Sequence, residues 1–447
     1  MSPKSYQQLL DEDSHTAPAV LRDVRYPDLG TEPISAQRYV GRDFFELEKK
    51  YMWPKIWQMA CREEDIPHIG DTYVYEIIDQ SILIVHTAEN KIKAYRNSCL
   101  HRGRRLRDTG GHAENLRCGF HGWTWDLDGQ IKSIPCRWDF AHISDAQLKL
   151  PEVQVDVWAG FIFINFDNEA QSLETYLGDV SNHFARWKLE ECYKSVHVAR
   201  IIRCNWKIAQ EAFMESYHVI ATHPQILPIF ADATAEYDIV GEHVNRNLAA
   251  FGEPSPHMSE RPAPEAVVAG MLALWGRKQR DVAQDKNKSA REILGNMARQ
   301  SFAKANKQDM SDVADAEVLD AIVYNIFPNF APWGGFAPNI IYRWRPNGDD
   351  VDSCIMEVMI LKRVPEGAER PAPVAVHWLS EEEDWACAKE LPALGPVIDQ
   401  DMSNMPSVHK GLKASADGVV HLGAYMESRI RHFHQLIDKY IKSGQTA

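Results

Sequence analysis

Two short segments decide the fold: Asn97-Ser98-Cys99-Leu100-His101-Arg102-Gly103-Arg104-Arg105-Leu106, and Leu116-Arg117-Cys118-Gly119-Phe120-His121-Gly122-Trp123-Thr124-Trp125-Asp126-Leu127-Asp128-Gly129. Each carries one cysteine and one histidine, and sixteen residues separate His101 from Cys118. Glycines crowd these segments and the stretch between them (Gly103, Gly110, Gly111, Gly119, Gly122). The surroundings read as short strands. Apolar runs rich in Val, Ile and Tyr (72–78, 81–85, 161–164) alternate with Gly, Asp and Asn turns, and Asp128-Gly129 marks a hairpin over 126–131. Residues 57–166 therefore predict a small all-β domain with two loops that each present a thiol and an imidazole.

Two thiolates suit one ferric iron and two imidazoles suit another. That is the mixed ligand set of a Rieske [2Fe–2S] centre, in which imidazoles replace two thiolates and raise the reduction potential. Glycines are expected where backbone amides must approach bridging sulfides. The same four side chains also fit a structural zinc site. Zinc modules usually pair like ligands, however, whereas here each loop contributes one of each. A zinc protein would be colourless, and a reddish-brown preparation would exclude it.

Composition narrows the remaining choices. The chain has 447 residues, enough for two or three domains, with 45% hydrophobic and 25% charged residues. Its net charge of −14 argues against nucleic acid and against an anionic membrane surface. No apolar run reaches the roughly 18 residues of a membrane span. The polar, acidic start MSPKSYQQLLDEDSHT lacks the basic and apolar regions of a signal peptide. Eight cysteines in so long a chain fit a reducing compartment better than a disulfide framework, so a cytoplasmic protein is expected.

Along the chain, residues 1–38 read as a surface arm broken by Pro18, Pro27 and Pro33, and 42–51 as a short helix ending at Pro54. The expected division is an arm and helix over 1–53, the β domain over 54–160 and a larger domain over 161–447. In the larger part, 206–221 and 260–325 read as helices and 339–361 as strands. Residues 425–441 form an amphipathic segment with Met426, Ile430, Phe433 and Ile437 at helical spacing. Regular strand–helix alternation is missing, so the class is α+β rather than α/β.

The stretch NSCLHRGRRL…LRCGFHGWTWDLDG resembles the Rieske domain of the terminal oxygenase α subunits of ring-hydroxylating and related Rieske non-haem iron oxygenases. The resemblance runs from about Phe44 to Tyr440 and is most specific in this motif. Respiratory Rieske proteins carry an extra cysteine in each loop, and the corresponding positions here are Arg104 and Phe120. The oxygenase or ferredoxin type follows, and the length excludes a stand-alone ferredoxin. The resemblance implies an N-terminal all-β Rieske domain before a helix-grip (SRPBCC-like) antiparallel-sheet catalytic domain. Cys99, His101, Cys118 and His121 would hold the cluster.

Oxygen chemistry needs a second metal, and two His with one carboxylate leave positions open for O2 and substrate. The segment Asn205-Trp206-Lys207-Ile208-Ala209-Gln210-Glu211-Ala212-Phe213-Met214-Glu215-Ser216-Tyr217-His218-Val219-Ile220-Ala221-Thr222-His223-Pro224 offers His218 and His223. On a continuous helix, residues five apart lie about 140° from one another and cannot share a metal. Pro224 disfavours helical geometry at His223, which predicts a helix end near Ala221. With 18 histidines in the chain, two surface or capping histidines are the plain alternative. What favours iron is the match of NWK…E…E-x-Y-H-x4-H to the family's iron-binding helix. Aligning Lys410-Gly411-Leu412 places Asp401 on the family's carboxylate ligand, with Asp399 the near competitor. The acidic run 381–384 reads as a solvated face. Glu215 occupies the family's bridging position, usually Asp, which would accept hydrogen bonds from His218 and from His121 of a neighbouring subunit. Glu there favours the homotrimeric group without a β subunit. Glu211 and Glu215, stacked at i, i+4, would repel each other without some reason to be there.

The resemblance further implies a head-to-tail homotrimer in which the cluster of one subunit serves the mononuclear Fe(II) of the next. No G-x-G-x-x-G follows a strand, so a separate reductase and/or ferredoxin would bring electrons from NAD(P)H. Arg102, Arg104, Arg105 and Arg107 would either dock that donor or pair with carboxylates across the trimer. The expected activity is O2-dependent hydroxylation, by mono- or dioxygenation, or demethylation, of a small apolar, aromatic or polycyclic substrate, as in aromatic hydrocarbon catabolism. Phe213, Val219, 326–330 and 333–336 are candidate pocket or plain core residues, and the insert after His223 a candidate lid. The competing reading is an electron-transfer protein whose C-terminal domain only binds a partner or ligand. The second iron separates the two.

Overall fold

The computed structural model describes residues 3–277 and 287–446. Part of the helical reading over 260–325, residues 278–286, lies outside the described residues. The chain divides into two compact units, one running from Lys49 to Tyr176, the other combining the residues up to Glu48 with those from Leu177 onward.

In the smaller unit a seven-stranded antiparallel sheet runs in the order Gln58–Arg62, Phe161–Asn165, Glu152–Trp158, Lys91–Arg96, Gln80–Ala88, Asp71–Ile77 and Gly111–His112. A three-stranded sheet adds Leu116–Arg117, Thr124–Trp125 and Ile131–Ser133. The Asp-Gly hairpin forms where its residues predict it. The Asp126 carboxylate accepts from the Gln130 amide at 2.9 Å, and Gly129 sits at φ +81°. A Cβ at Gly129 would stand 2.7 Å from the Tyr95 ring, so only glycine fits. Leu83, Val85, Tyr95, Leu116, Trp123 and Trp125 form a core that also encloses Cys99 and Cys118. Phe161–Asn165 pairs with Glu152–Trp158 on one side and Gln58–Arg62 on the other, so the small unit extends past residue 160. All five of its residues are buried, as an inner strand requires.

The larger unit is built on an eight-stranded sheet ordered Glu236–Gly241, Val244–Ala249, Ala321–Ile326, Phe330–Pro332, Asn339–Asn347, Asp350–Arg363, Cys192–Ile202 and His377–Trp378. Every pairing is antiparallel except the last. Helices Pro264–Leu274, Ala290–Asn306, Leu394–Ala414 and Ser428–Thr446 accompany it. The class is α+β. The C-terminal helix buries Ile430, Phe433, Ile437 and Ile441 along one face. It is tied to the sheet by Arg429, whose Nε donates to Asn245 Oδ1 at 2.7 Å.

The first residues do not form a separate surface arm. Helix Tyr6–Asp11, closed by a Ser5/Gln8 capping box, buries Tyr6, Leu9 and Leu10. Asp13 then pairs with the buried Arg291 at 2.9 Å. The prolines limit helix length without freeing the segment, because its own apolar residues dock it.

Candidate metal centres

The two Cys–His loops share one backbone frame. The Cys99 amide donates to Arg104 O (2.8 Å) and the Gly103 amide to Cys99 O (2.9 Å). Likewise the Cys118 amide donates to Trp123 O (2.8 Å) and the Gly122 amide to Cys118 O (3.1 Å). The fifth residue of each loop is a glycine in the left-handed region, Gly103 at φ +73° and Gly122 at +76°. Both cysteines are buried. Burial pushes the Cys99 thiol up. At Cys118 burial acts the same way, but N–H bonds from Phe120 and His121, Cys99 and the Arg104 charge together bring the thiol below its ordinary value.

The imidazoles of His101 and His121 lie 4.5 Å apart, and His101 stacks on Trp123 at 4.9 Å and 6°. Their Nδ1 atoms are buried, and neither has a hydrogen-bond partner among the described residues. Two orphaned ring nitrogens beside two buried thiols fit a group that takes all four, since an unpaired buried polar atom is otherwise costly. The nearby arginines are largely engaged within the unit: Arg104 with Asp108 (2.7 Å), Arg105 with Glu76 (2.6 Å), Arg102 over the Phe120 ring. All eight cysteines are free thiols.

The predicted helix over 206–221 is interrupted. Helix Trp206–Glu211, capped by Asn205, stops at Ala212, and only Val219–Thr222 is helical again. The cause is tertiary. Arg429 donates to Met214 O (3.1 Å), the Ser216 amide donates to the Tyr237 hydroxyl (3.0 Å), and Phe213 packs on Tyr342 and Trp344. These contacts take over backbone groups that the helix would have paired. Glu215 and His218 therefore meet through a turn: Glu215 accepts from the His218 amide (3.0 Å) and bonds His218 Nδ1 (2.6 Å). The second short helix ends before His223, whose φ of −124° and ψ of 50° are not helical, as Pro224 predicts.

These breaks bring His218, His223 and Asp401 together, with one donor atom from each lying within 4.8 Å of the others. Asp401 Oδ1 is 2.9 Å from His223 Nε2 and 3.5 Å from His218 Nε2. Each far ring nitrogen is held: His218 Nδ1 by Glu215, His223 Nδ1 by Gln400 Oε1 at 2.8 Å. Burial would lower the His218 pKa, but the Glu215 hydrogen bond and the Glu215 and Asp401 charges outweigh it and leave it raised. A cation among these groups would replace that proton. Asp399 serves elsewhere, accepting from the Trp385 and Ala386 amides at 2.7 and 2.9 Å. Residues two apart on a helix point about 200° apart, so Asp399 and Asp401 cannot face the same histidines.

Glu211 does not share a helical face with Glu215. It bonds Tyr39 Oη (2.9 Å) and His434 Nε2 (2.8 Å), and burial raises its pKa to about 8. Of the pocket candidates, Val219 and Trp333 pack with Phe230, Phe251, Tyr237 and Val323. Phe327 instead packs on Phe433 and Tyr440. Sequence reasoning missed Gln400, Tyr237 and Arg429. None carries a motif, and only Gln400, adjacent to Asp401, stood where a search could have begun.

Comparison with known proteins shows the family. Biphenyl dioxygenase subunit alpha of Paraburkholderia xenovorans is 27% identical over 236 residues, 48% of this chain and 50% of that protein. The carnitine monooxygenase oxygenase subunit of Escherichia coli K12 is 29% identical over 199 residues, 43% of this chain and 52% of that protein. The matched stretch thus spans about half the length of these curated relatives. A naphthalene 1,2-dioxygenase variant bound to phenanthrene shares the fold at TM-score 0.66 and 17% identity, covering 94% of each chain. A quaternary ammonium Rieske monooxygenase with L-carnitine does so at 0.64 and 16%, covering 92% of this chain and 97% of that one. A sequence model of the Rieske [2Fe–2S] domain matches residues 56–144, and one of the ring hydroxylating alpha subunit catalytic domain matches 179–443. The two domains imply a Rieske cluster and a mononuclear iron. With more than half its length matched by the second domain alone, this chain belongs to the family of Rieske-type ring-hydroxylating oxygenase α subunits.

Proposed function

We propose that this chain is the terminal oxygenase of a multicomponent Rieske system. Cys99, His101, Cys118 and His121 would hold the cluster, which would supply one-electron transfer. His218, His223 and Asp401 would hold the mononuclear iron, which would supply the O2-dependent oxidation of a small organic substrate. The observation that carries this reading is the convergence of His218 Nε2, His223 Nε2 and Asp401 Oδ1 with both remaining ring nitrogens already bonded. Iron bound by two histidines and one carboxylate keeps positions open for O2 and substrate, which is the oxidising chemistry it supplies.

The chain's own residues set the conditions. Glu215 holds the proton on His218 Nδ1 and so keeps Nε2 free as a donor. Val219, next in sequence to His218, is packed into an apolar cluster with Phe230, Phe251, Val323 and Trp333, and these apolar surroundings support an apolar substrate, aromatic or polycyclic, that is hydroxylated or demethylated. Electrons come from a separate NAD(P)H-dependent reductase, directly or through a ferredoxin. The working assembly is a homotrimer in which Glu215 links His218 to His121 of the neighbouring subunit. Free thiols support a cytoplasmic location, and among the described residues no helix is long and apolar enough to cross a membrane.

The test is metal analysis and electron paramagnetic resonance of the purified protein. Substrate-dependent O2 uptake with a generic reductase and NADH is then screened over aromatic acids, polycyclic aromatics and steroids. About three irons per chain and uptake abolished by His218→Ala are expected. About two irons, with no substrate-dependent uptake, would leave an electron carrier instead.

A further inference from the structure

We infer that Gln400, locked by Gln225, is the positioning residue of the second iron histidine: it fixes the tautomer of His223 and backs that imidazole with a neutral amide where His218 has a carboxylate. The inference rests on the reading of His218, His223 and Asp401 as iron ligands.

His223 is buried, with Nδ1 2.8 Å from Gln400 Oε1 and Nε2 2.9 Å from Asp401 Oδ1. Gln225 Nε2 donates to the same Gln400 Oε1 at 2.6 Å, and Gln400 Nε2 donates back to Gln225 Oε1 at 3.3 Å. In this reciprocal pair Gln400 Oε1 accepts from two N–H groups, one of them His223 Nδ1. The opposite arrangement turns both amides over. Gln400 would then offer an N–H to Nδ1 and drive the imidazole proton onto Nε2, where no lone pair would remain for a metal. Only the first arrangement is compatible with ligation.

The parts sit where the chain can align them. Gln225 lies in the turn Pro224–Ile226, directly after His223. Gln400 and Asp401 are consecutive on helix Leu394–Ala414, so one helix carries both the ligand and the group that orients the other ligand. The two imidazoles are therefore unequal donors. A carboxylate behind a ring N–H strengthens the opposite nitrogen more than an amide does.

The experiment uses the full chain with its cluster intact, loaded with Fe(II) and titrated with an Fe(II)-specific chelator. Cluster absorbance serves as the internal reference. Gln400→Leu should release the mononuclear iron at about 10- to 100-fold lower chelator concentration, with the melting temperature unchanged. Gln400→Glu should restore retention and shift the paramagnetic resonance spectrum of the Fe(II) nitric oxide adduct. Gln225→Ala, an exposed position, should weaken retention in the same direction by less. Wild-type retention in Gln400→Leu, or a Gln400→Glu no better than Gln400→Leu, would overturn the inference. A wild type that binds no chelatable iron beyond the cluster would bring down the ligand assignment and this inference together.

Discussion

The two metal centres are built by different means. The cluster loops lie within a short run of sequence and repeat one frame: cysteine, three intervening residues, left-handed glycine. The proposed iron site would take two histidines from a segment whose helix is broken by tertiary contacts, and a carboxylate, Asp401, 178 residues after His223. The first is local and self-determined. The second exists only once Arg429, Tyr237 and the helix Leu394–Ala414 have docked.

The sharpest break of this comparison comes at the cluster. Cys118→Ser should remove the cluster's visible absorbance and all electron uptake. Cys118 is packed with Trp123 and Trp125, so the vacancy should also destabilise the smaller unit. The mononuclear site, assembled by the larger unit alone, should still bind Fe(II) in a chelator titration. Loss of both irons together would show that the two centres are not independent.

Next in size is the carboxylate pair. Asp401→Ala should lose mononuclear iron and substrate-dependent O2 uptake while the cluster spectrum stays unchanged. Asp399→Ala should keep the iron. It should cost on the order of 1–3 kcal/mol of stability through the buried Trp385 amide left without an acceptor, the exposed Ala386 amide turning to water, and this is read as a lower denaturant midpoint. Iron lost from Asp399→Ala and kept in Asp401→Ala would reverse the assignment.

The same contrast explains what the sequence disclosed. The cluster loops were legible because ligand types, spacing and glycines all sit inside one local frame. The hairpin at Gly129 was legible for the same reason. Asp401 was partly legible: Ile398, Asp401, Met402, Met405 and His409 recur at helical spacing on a buried face, and Asp399 falls off it. The break between Glu211 and Val219 was not, since its residues include no Gly or Pro and it is imposed by Arg429 and Tyr237 from distant segments. Gln400 had only its place beside Asp401 to mark it, because an amide carries no titratable or metal-ligand signature. The docking of the first residues was missed because prolines were weighed above the apolar face of Tyr6, Leu9 and Leu10.

Glu211 and Glu215, four residues apart, sharpen the comparison further. Glu215→Gln should leave both metals bound but slow substrate-dependent reoxidation of the reduced cluster by about 10- to 100-fold in single turnover, because the His218 N–H loses its charged partner. Glu211→Gln should leave that rate unchanged and alter stability with pH. Burial raises the Glu211 pKa to about 8, so the carboxyl is favoured in its neutral form in the folded chain. Its contribution is complete below the ordinary carboxyl pKa of about 4.3 and is lost as pH rises through about 8. The wild-type melting temperature should therefore fall between pH 5 and 8 by more than that of Glu211→Gln, by several degrees. Parallel curves would mean that Glu211 titrates alike in the folded and unfolded chain.

The smallest effect tests whether the two cluster loops are equivalent. Gly103 and Gly122 share a backbone conformation but not a neighbourhood. A Cβ at Gly103 would meet only the Ser98 hydroxyl at 4.0 Å, whereas one at Gly122 would press on Arg117 at 3.3 Å and Pro135 at 3.5 Å. Gly103→Ala should cost only the left-handed penalty, about 1 kcal/mol, and retain the cluster. Gly122→Ala should cost more, because the Arg117 guanidinium must move as well. Thermal melts followed at the cluster absorbance would compare them directly. Equal losses would mean that backbone conformation alone governs both loops, and that their different side-chain surroundings contribute nothing to holding the cluster.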